Sequence, residues 1–375
     1  MNLAAVPRSV RFPSPGPIGF LIVFCLVSAG LLDRSLMAAD KPDDKTVDEA
    51  VDEAGKALLG ELSKSPHKIL YEAYDKNNWE LYVMNPDGSS KRNLTNTKDV
   101  HELYPQASPD GSKICFLADV GDGKNATRSV YYMKADGTGR TLVAAKARQP
   151  CWSPDGGRIA FVKQEFSKFS VIDYVSKGLF IYDVKTGKTT EVPNKKIHHL
   201  YNLTWAANGK WIFSTVHGGM GYGHAIIAIE VNGQKVIDLK MKGCRPCIGP
   251  DGKRVTWSSN DHTINVAEID YSGDAPRVKN KRIVDQRKKL HLYHPDFSPD
   301  GKYITYSISP GGRMPVNGPG THSHVAEMIG VRGTWNLFLR QSDGTGPIIQ
   351  LTDDRAMSNE ESEWLPAASA EKPKP

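Results

Sequence analysis

Two closely spaced histidine pairs are the residues of this sequence best suited to metal chemistry. His291 and His294 stand three positions apart, and His322 and His324 stand two apart in the glycine- and proline-rich segment 309–333. Imidazole binds zinc, copper, nickel and iron, and an open metal site leaves a position for a substrate. These four histidines therefore form a candidate site for a divalent transition metal. The carboxylates that could complete it are Asp261, Glu361 and Glu363.

The alternative to a metal-binding role is that each histidine is an ordinary loop residue, either solvated or hydrogen-bonded. Other signals for chemistry are weak, because the sequence has no Gly-x-Ser-x-Gly nucleophile motif. Cys244 and Cys247 form a CxxC pattern. Residues three apart on a strand point to opposite faces, so we expect buried thiols rather than a mutual disulfide.

A recurring turn indicates which elements position these residues. It is Ser-Pro-Asp-Gly three times, with two variants, at intervals of 43 to 53 residues; the copies are 108–111, 153–156, 206–209, 249–252 and 298–301. Each copy precedes an alternating strand such as KICFLA or KYITYS, and a second strand and turn follow. A period of this size with short alternating strands predicts an all-β propeller.

The two ends of the repeat region predict the number of blades. Residues 67–95 resemble a blade that lacks its first strand, and residues 351–369 align with 94–108, which contains such a strand. Pairing the N- and C-terminal segments would close the ring and remove exposed strand edges. We therefore expect a six-bladed β-propeller of four-stranded antiparallel blades.

Two rings of polar residues are expected near the mouth of the central channel. In a propeller the innermost strand of a blade starts on the face where ligands usually enter. Seven positions before the first residue of each turn stand His101, Lys146, His199, Lys242 and His291. Four positions before it stand Tyr104, Gln149, Asn202, Arg245 and His294. These ten residues are the candidate ligand-binding set.

The loops between the second and third strands of each blade should share that face. They contain His217 and His224 in VHGGMGYGH, Asp261 and His262 in SSNDH, and the segment 309–333. With these loops, ten of the eleven histidines map to one face of the propeller, and His67 does not.

The repeated motif resembles a known family. YPQASPDGSKICFLAD and VYYMKADGTGRTLV, residues 104–119 and 130–143, are similar to the WD40-like repeats of TolB-type six-bladed propellers. The resemblance covers about residues 66–369 and implies an interaction module. TolB carries an α/β domain before its propeller, and the segment 40–65 is too short to supply one.

The segments before and after the repeat region predict the location of the protein and a short helical arm. Residues 1–39 have the charged, apolar, small-residue order of a secretory signal, which predicts a periplasmic or secreted protein. Residues 40–65 are expected to be a charged helical arm, and 370–375 a disordered tail. Membrane contact is expected only if the signal stays uncleaved.

The net charge of the chain limits the kinds of partner that we expect it to bind. Removing the signal's three basic residues and one acidic residue from a net charge of +6 leaves +4. That mild basicity argues against nucleic acid as a partner. We expect a monomer that binds a protein, a peptide or an acidic glycan, with acidic groups favoured by Lys146, Arg148, Lys242 and Arg245.

The runner-up hypothesis is a metal-dependent lyase acting on uronate-containing saccharides. Oligogalacturonate lyases are similar in having WD40-like repeats and a histidine-held metal. That resemblance matches His294 by position and His291 less closely, and it implies that the metal and Arg245 stabilise an enolate. Their propeller has seven blades, against the six expected here.

Overall fold

The structure is a computed structural model that describes residues 53–75, 78–121, 127–164, 176–310, 335–353 and 358–368. The expected signal segment, the start of the arm, and the tail 370–375 lie outside these residues. His322 and His324 also lie outside them. In the part of the chain that is described, no helix has both the length and the apolar composition needed to cross a membrane.

The described chain consists of one helix followed by 24 strands. Helix α1 is Glu53–Leu62. In chain order the first twelve strands are β1 Lys68–Asp75, β2 Asn78–Met84, β3 Arg92–Asn93, β4 Val100–Ala107, β5 Lys113–Val120, β6 Thr127–Lys134, β7 Thr141–Ala145, β8 Ala147–Trp152, β9 Arg158–Gln164, β10 Ser176–Asp183, β11 Thr189–Glu191 and β12 Leu200–Trp205. The other twelve are β13 Trp211–Gly219, β14 Tyr222–Glu230, β15 Val236–Met241, β16 Cys244–Ile248, β17 Arg254–Ser259, β18 Thr263–Asp270, β19 Arg277–Gln286, β20 His291–Phe297, β21 Tyr303–Ser309, β22 Asn336–Gln341, β23 Ile349–Gln350 and β24 Ser358–Leu365.

These strands form six four-stranded antiparallel sheets, the blades of a β-propeller. Blade 1 has the order β24-β1-β2-β3, and blades 2 to 6 each use four consecutive strands, beginning with β4, β8, β12, β16 and β20. The all-β, six-bladed prediction is therefore confirmed. Closure is also as predicted, because β24 pairs with β1 from Lys68↔Leu365 to Tyr74↔Ser358.

The recurring turn is held by its own side chains. Ser298 donates a hydrogen bond from Oγ to Asp300 Oδ1 (2.6 Å), and Tyr303 N donates to Ser298 Oγ (2.9 Å). Gly301 has a φ of 69°, a left-handed conformation that glycine adopts without a Cβ clash. The turns at Ser108 and Ser153 repeat the serine–aspartate bond. The motif thus starts the second strand of its blade.

Apolar residues between neighbouring blades form the core. Trp152, directly before the turn of blade 3, donates from Nε1 to Gln106 O of blade 2 (3.0 Å) and packs among that blade's apolar residues. Phe297 packs in the same way against Ile264 and Val266 of blade 5. At these two turns the preceding aromatic residue therefore packs one blade against the blade before it.

Helix α1 packs on the propeller itself. Leu58 and Leu62 are buried in the cluster between blades 6 and 1, beside Tyr303 and Trp364. Tyr303 also donates from its hydroxyl to Glu61 Oε1 (3.1 Å). The end of the arm is thus part of the folded unit.

Candidate functional site

Each inner strand is interrupted by a β-bulge at the same place. The register shifts at Leu103/Gln106 in blade 2 and at Tyr293/Asp296 in blade 6, with equivalent shifts in the other blades. The residue four positions before the turn in blades 2 to 6, and the equivalent residue of β24 in blade 1, has a positive φ: Tyr104 (54°), Gln149 (56°), Asn202 (52°), Arg245 (58°), His294 (51°) and Glu361 (40°). A bulge re-aims the side chain of its strand. We call these six residues the bulge ring.

The bulge ring is buried and polar. All six residues are at most 7% exposed, and five of them line a cavity of about 60 Å³ in the channel. His294 Nε2 lies 2.9 Å from Glu361 Oε1, and Asn202 donates from Nδ2 to Tyr104 OH (3.4 Å). Asn202 N also donates to Gln149 Oε1. Glu361 is the sixth member, which the sequence did not place in this ring because β24 is not followed by the recurring turn.

Arg245 places a positive charge in the channel wall. Its guanidinium lies 4.6 Å above the ring of Tyr293, and its Nη1 contacts Cys244 Sγ at 3.2 Å. Tyr293 in turn donates to Asp261 Oδ1 (2.5 Å). Arginine stays charged at any physiological pH, so this wall attracts negative groups.

A second ring lies two positions before the turn and was missed at the sequence level. Its members are Gln106, Cys151, Thr204, Cys247, Asp296 and Glu363. The signal was available, because alternation on a strand places this position on the same side as the channel lining. From the sequence, Glu363 is a candidate metal ligand and Cys247 part of a CxxC pattern, and neither pattern shows that the two residues share a ring.

Two carboxyl groups dominate this second ring. Asp296 Oδ2 accepts from Trp364 N (2.7 Å), and Cys247 Sγ contacts Asp296 Oδ1 at 2.9 Å. Glu363 accepts from Ala107 N (3.4 Å) and Gln106 Nε2 (3.3 Å). Burial raises the pKa of Asp296 to about 6. Burial and the nearby Asp296 charge raise the pKa of Glu363 well above its usual range.

The ring seven positions before the turn is less uniform than the bulge ring. His101 is buried and accepts at Nδ1 from Trp79 N (3.2 Å), whereas Lys146 and Lys242 are exposed. His199 is half-buried and donates from Nδ1 to Gly218 O (2.9 Å). His291 is half-buried, and its ring centroid lies 5.3 Å from that of His262. These five residues therefore have separate environments.

The hairpin loops lie on the same face as the starts of the inner strands. Gly218 O accepts from His199, Gly243 O lies 3.0 Å from His224 Nε2, and Leu290 O lies 2.7 Å from His262 Nδ1. We call this the histidine face, and the opposite end of the channel, formed by the recurring turns, the turn face.

The structure separates the two described members of the predicted metal set. His294 lies in the channel beside Glu361, and His291 lies at the histidine face beside His262. Among the described residues, no group of three or more His, Cys, Asp or Glu side chains could hold a metal ion. His322 and His324 are outside the described residues, so this metal site, and the lyase that depends on it, stay predictions. The described cysteines form no disulfide.

Comparison with known proteins shows the fold. No family model and no curated protein matches the sequence. The solved structure of TolB from Acinetobacter baumannii matches with a TM-score of 0.57 and 18% identity, over 80% of this chain and 67% of that chain. Hydrazine synthase of Kuenenia stuttgartiensis matches with a TM-score of 0.56 and 12% identity, over 85% of this chain and 49% of that one.

A chain of a nidogen/laminin complex also matches, with a TM-score of 0.55 and 5% identity, over 81% of this chain and 99% of that chain. Proteins with such different names share this architecture, so the likeness describes the fold and not the activity. From its blade count and this likeness, the chain has the fold of a six-bladed β-propeller of the TolB type.

Proposed function

We propose that the protein is an exported binding module that receives an acidic group of a protein, peptide or glycan at its histidine face. The observation that carries the proposal is Arg245, a buried charge in the channel wall. Lys146 and Lys242 precede the inner strands of blades 3 and 5 and are exposed at the same face. An incoming carboxylate would meet the two lysines first and the guanidinium next.

The geometry of Arg245 suits recognition more than stability. Its backbone N donates to Thr215 Oγ1 (3.0 Å), and Tyr293 holds the guanidinium plane. A fixed guanidinium in a poorly hydrated wall forms strong charge-assisted hydrogen bonds with carboxylates. A buried charge adds little to stability, since desolvation opposes its burial.

Carboxyl groups lie both at the level of Arg245 and below it. Glu361 shares the bulge ring with Arg245, and Asp296 and Glu363 belong to the ring below it. A negative group would be repelled beyond the bulge ring. We therefore propose that the ligand enters from the histidine face and stops at Arg245. The site would then bind the end or a turn of an acidic segment.

Export is part of the same proposal. The order of residues 1–39 supports a secretory signal, and with it a periplasmic or secreted location for a monomeric protein. A binding module of this kind would meet its partner outside the cytoplasm.

Charge reversal at the histidine face tests the binding site. We expect Lys146→Glu with Lys242→Glu to weaken binding of a glutamate-rich peptide or an oligogalacturonate roughly ten-fold or more, measured by calorimetry. The matched control is Lys253→Glu with Lys302→Glu, which makes the same charge change on exposed lysines of the turn face. Equal losses in both double variants, or binding of neither probe, would contradict the proposal, and the two probes distinguish a polypeptide partner from a glycan.

A further inference from the structure

A histidine pair outside the predicted metal set has the geometry of a chelate. His217 of β13 and His224 of β14 stand directly opposite each other across the hairpin of blade 4. Their Nδ1 atoms are 3.1 Å apart, their ring centroids are 5.4 Å apart, and the ring planes differ by 81°. Both side chains are exposed, so an ion in solution can reach them.

A backbone carbonyl fixes the tautomer of one ring. His224 Nε2 lies 3.0 Å from Gly243 O, and a carbonyl only accepts, so Nε2 carries the hydrogen. The neutral ring therefore presents its Nδ1 lone pair towards His217. An imidazole held by a carbonyl at its far nitrogen is the usual arrangement of a metal ligand.

The separation of the two nitrogens fits a single ion. Imidazole nitrogens bind zinc at about 2.0–2.1 Å. Two such bonds with a nitrogen–nitrogen distance of 3.1 Å meet at an angle of about 100°, between square-planar and tetrahedral values. Without an ion the same contact is a hydrogen bond from His217 Nδ1. Binding of the ion through Nδ1 therefore requires the tautomer of His217 that carries its hydrogen on Nε2, reached by proton exchange with water.

We propose that His217 and His224 form a two-histidine site for a divalent transition metal, Cu²⁺, Ni²⁺ or Zn²⁺, bound through their Nδ1 atoms. No third His, Cys, Asp or Glu completes the pair within the described chain. Two protein ligands leave coordination positions for water or for an oxygen of a ligand at the histidine face. The site does not depend on the binding function proposed above.

A neighbouring histidine provides a matched control. His198 is on the same face, and its ring contacts that of His199 at 4.8 Å between centroids. Both of its nitrogens are engaged, Nδ1 with Lys196 O (2.7 Å) and Nε2 with Met220 N (3.1 Å). A histidine with both nitrogens bonded to backbone has no lone pair to give, so His198 should not bind the ion.

Calorimetric titration of the full chain with Ni²⁺ and Cu²⁺ tests the proposal. The parent protein carries His322→Ala and His324→Ala, so that the separately predicted metal site cannot contribute. We expect one ion per chain, with Cu²⁺ bound more tightly than Ni²⁺. His217→Ala and His224→Ala should each weaken binding roughly ten-fold or more, and His198→Ala should leave it unchanged.

A thermal melt of each variant, with and without Ni²⁺, separates loss of the site from loss of the fold. We expect all three variants to melt as the parent does without metal, and only the parent and His198→Ala to gain stability when Ni²⁺ is added. A parent that binds no ion, or a His217→Ala protein that binds as tightly as the parent, would overturn the proposal.

Discussion

The acidic pair Asp296 and Glu363 shows what burial does to single residues in this channel. Both carboxyl groups are in a low-dielectric wall, where the charged form is disfavoured, so burial raises the pKa of each, and the Asp296 charge raises the pKa of Glu363 further. Their acceptor bonds from backbone N–H groups offset part of that effect. The two carboxyl groups are therefore titratable groups in the interior of the channel. The His294–Glu361 contact lies above them, in the bulge ring.

The pH dependence of stability should reveal Asp296. Its pKa is about 6 in the folded protein and about 3.9 when unfolded, so the folded state keeps the proton longer. This contribution to stability is therefore present below about pH 4 and is lost as the pH rises to about 6. The loss is at most about 3 kcal/mol. We expect Asp296→Asn to flatten this decline in urea unfolding measured between pH 4 and 7.

The control for this prediction is Asp136, an exposed carboxylate whose pKa is lowered by hydrogen bonds from Thr138. A depressed pKa has the opposite sign, because its stabilisation appears as the pH rises. Asp136→Asn should therefore leave the decline between pH 4 and 6 in place. An unchanged decline in Asp296→Asn would show that the Asp296 carboxyl is not its source.

At the scale of the element, the inner strand is built around its left-handed residue. Six different residue types occupy the bulge position, and none is glycine. A left-handed conformation costs a non-glycine residue about 1–2 kcal/mol, so the side chain must make up for it. Gln149, for example, accepts a hydrogen bond from Asn202 N of the next blade. The bulge therefore connects blades as well as shaping the channel.

Substitution of Gln149 should measure the free-energy cost of the left-handed backbone conformation at this position. Gln149→Gly and Gln149→Ala both lose the hydrogen bond, but only alanine stays strained at a φ of 56°. We expect the glycine variant to be more stable than the alanine variant by about 1 kcal/mol in chemical denaturation. Cys151, on the same strand without a positive φ, should show the reverse order. The same order at both positions would contradict the argument.

At the scale of the whole molecule, the ring is closed by one strand from the far end of the chain. β24 pairs along the length of β1 and also contributes Glu361 and Glu363 to the channel. Without it, β1 would expose an edge of unpaired backbone groups. Helix α1 packs at the same junction, with Leu62 beside Trp364. The pairing of β24 with β1 therefore closes the ring of blades and also completes the two polar rings of the channel.

Truncation tests the role of closure. A chain ending at residue 353 lacks β24, and we expect it to lose cooperative unfolding and to aggregate, measured by thermal melting and size-exclusion chromatography. A chain ending at residue 368 keeps every described strand and should behave as the full chain does. A cooperative melt of the shorter chain near that of the full chain would show that five complete blades suffice.

The sequence was enough to predict the propeller, because the fold has a local cause at five of its six blades. The turn at 298–301 and its copies recur with alternating strands, so the same turn chemistry is repeated from blade 2 to blade 6. Polar residues four positions before the turn were also visible as departures from an apolar lining. Their burial was not visible, because it depends on how closely six strands approach one another around the axis.

The sequence by itself determined the blades, their number, the closure by the two ends and the polar character of the channel. Only the tertiary structure decided which polar side chains meet. It brought His294 to Glu361, Asp296 towards Glu363 and His217 to His224. The physical reason is that strand pairing is fixed by patterns repeated every few residues, whereas contacts across the channel or a hairpin depend on bulges, register and side-chain direction. Contacts across the channel are set only when all six blades pack together, whereas the His217–His224 contact is set by the register of the blade 4 hairpin.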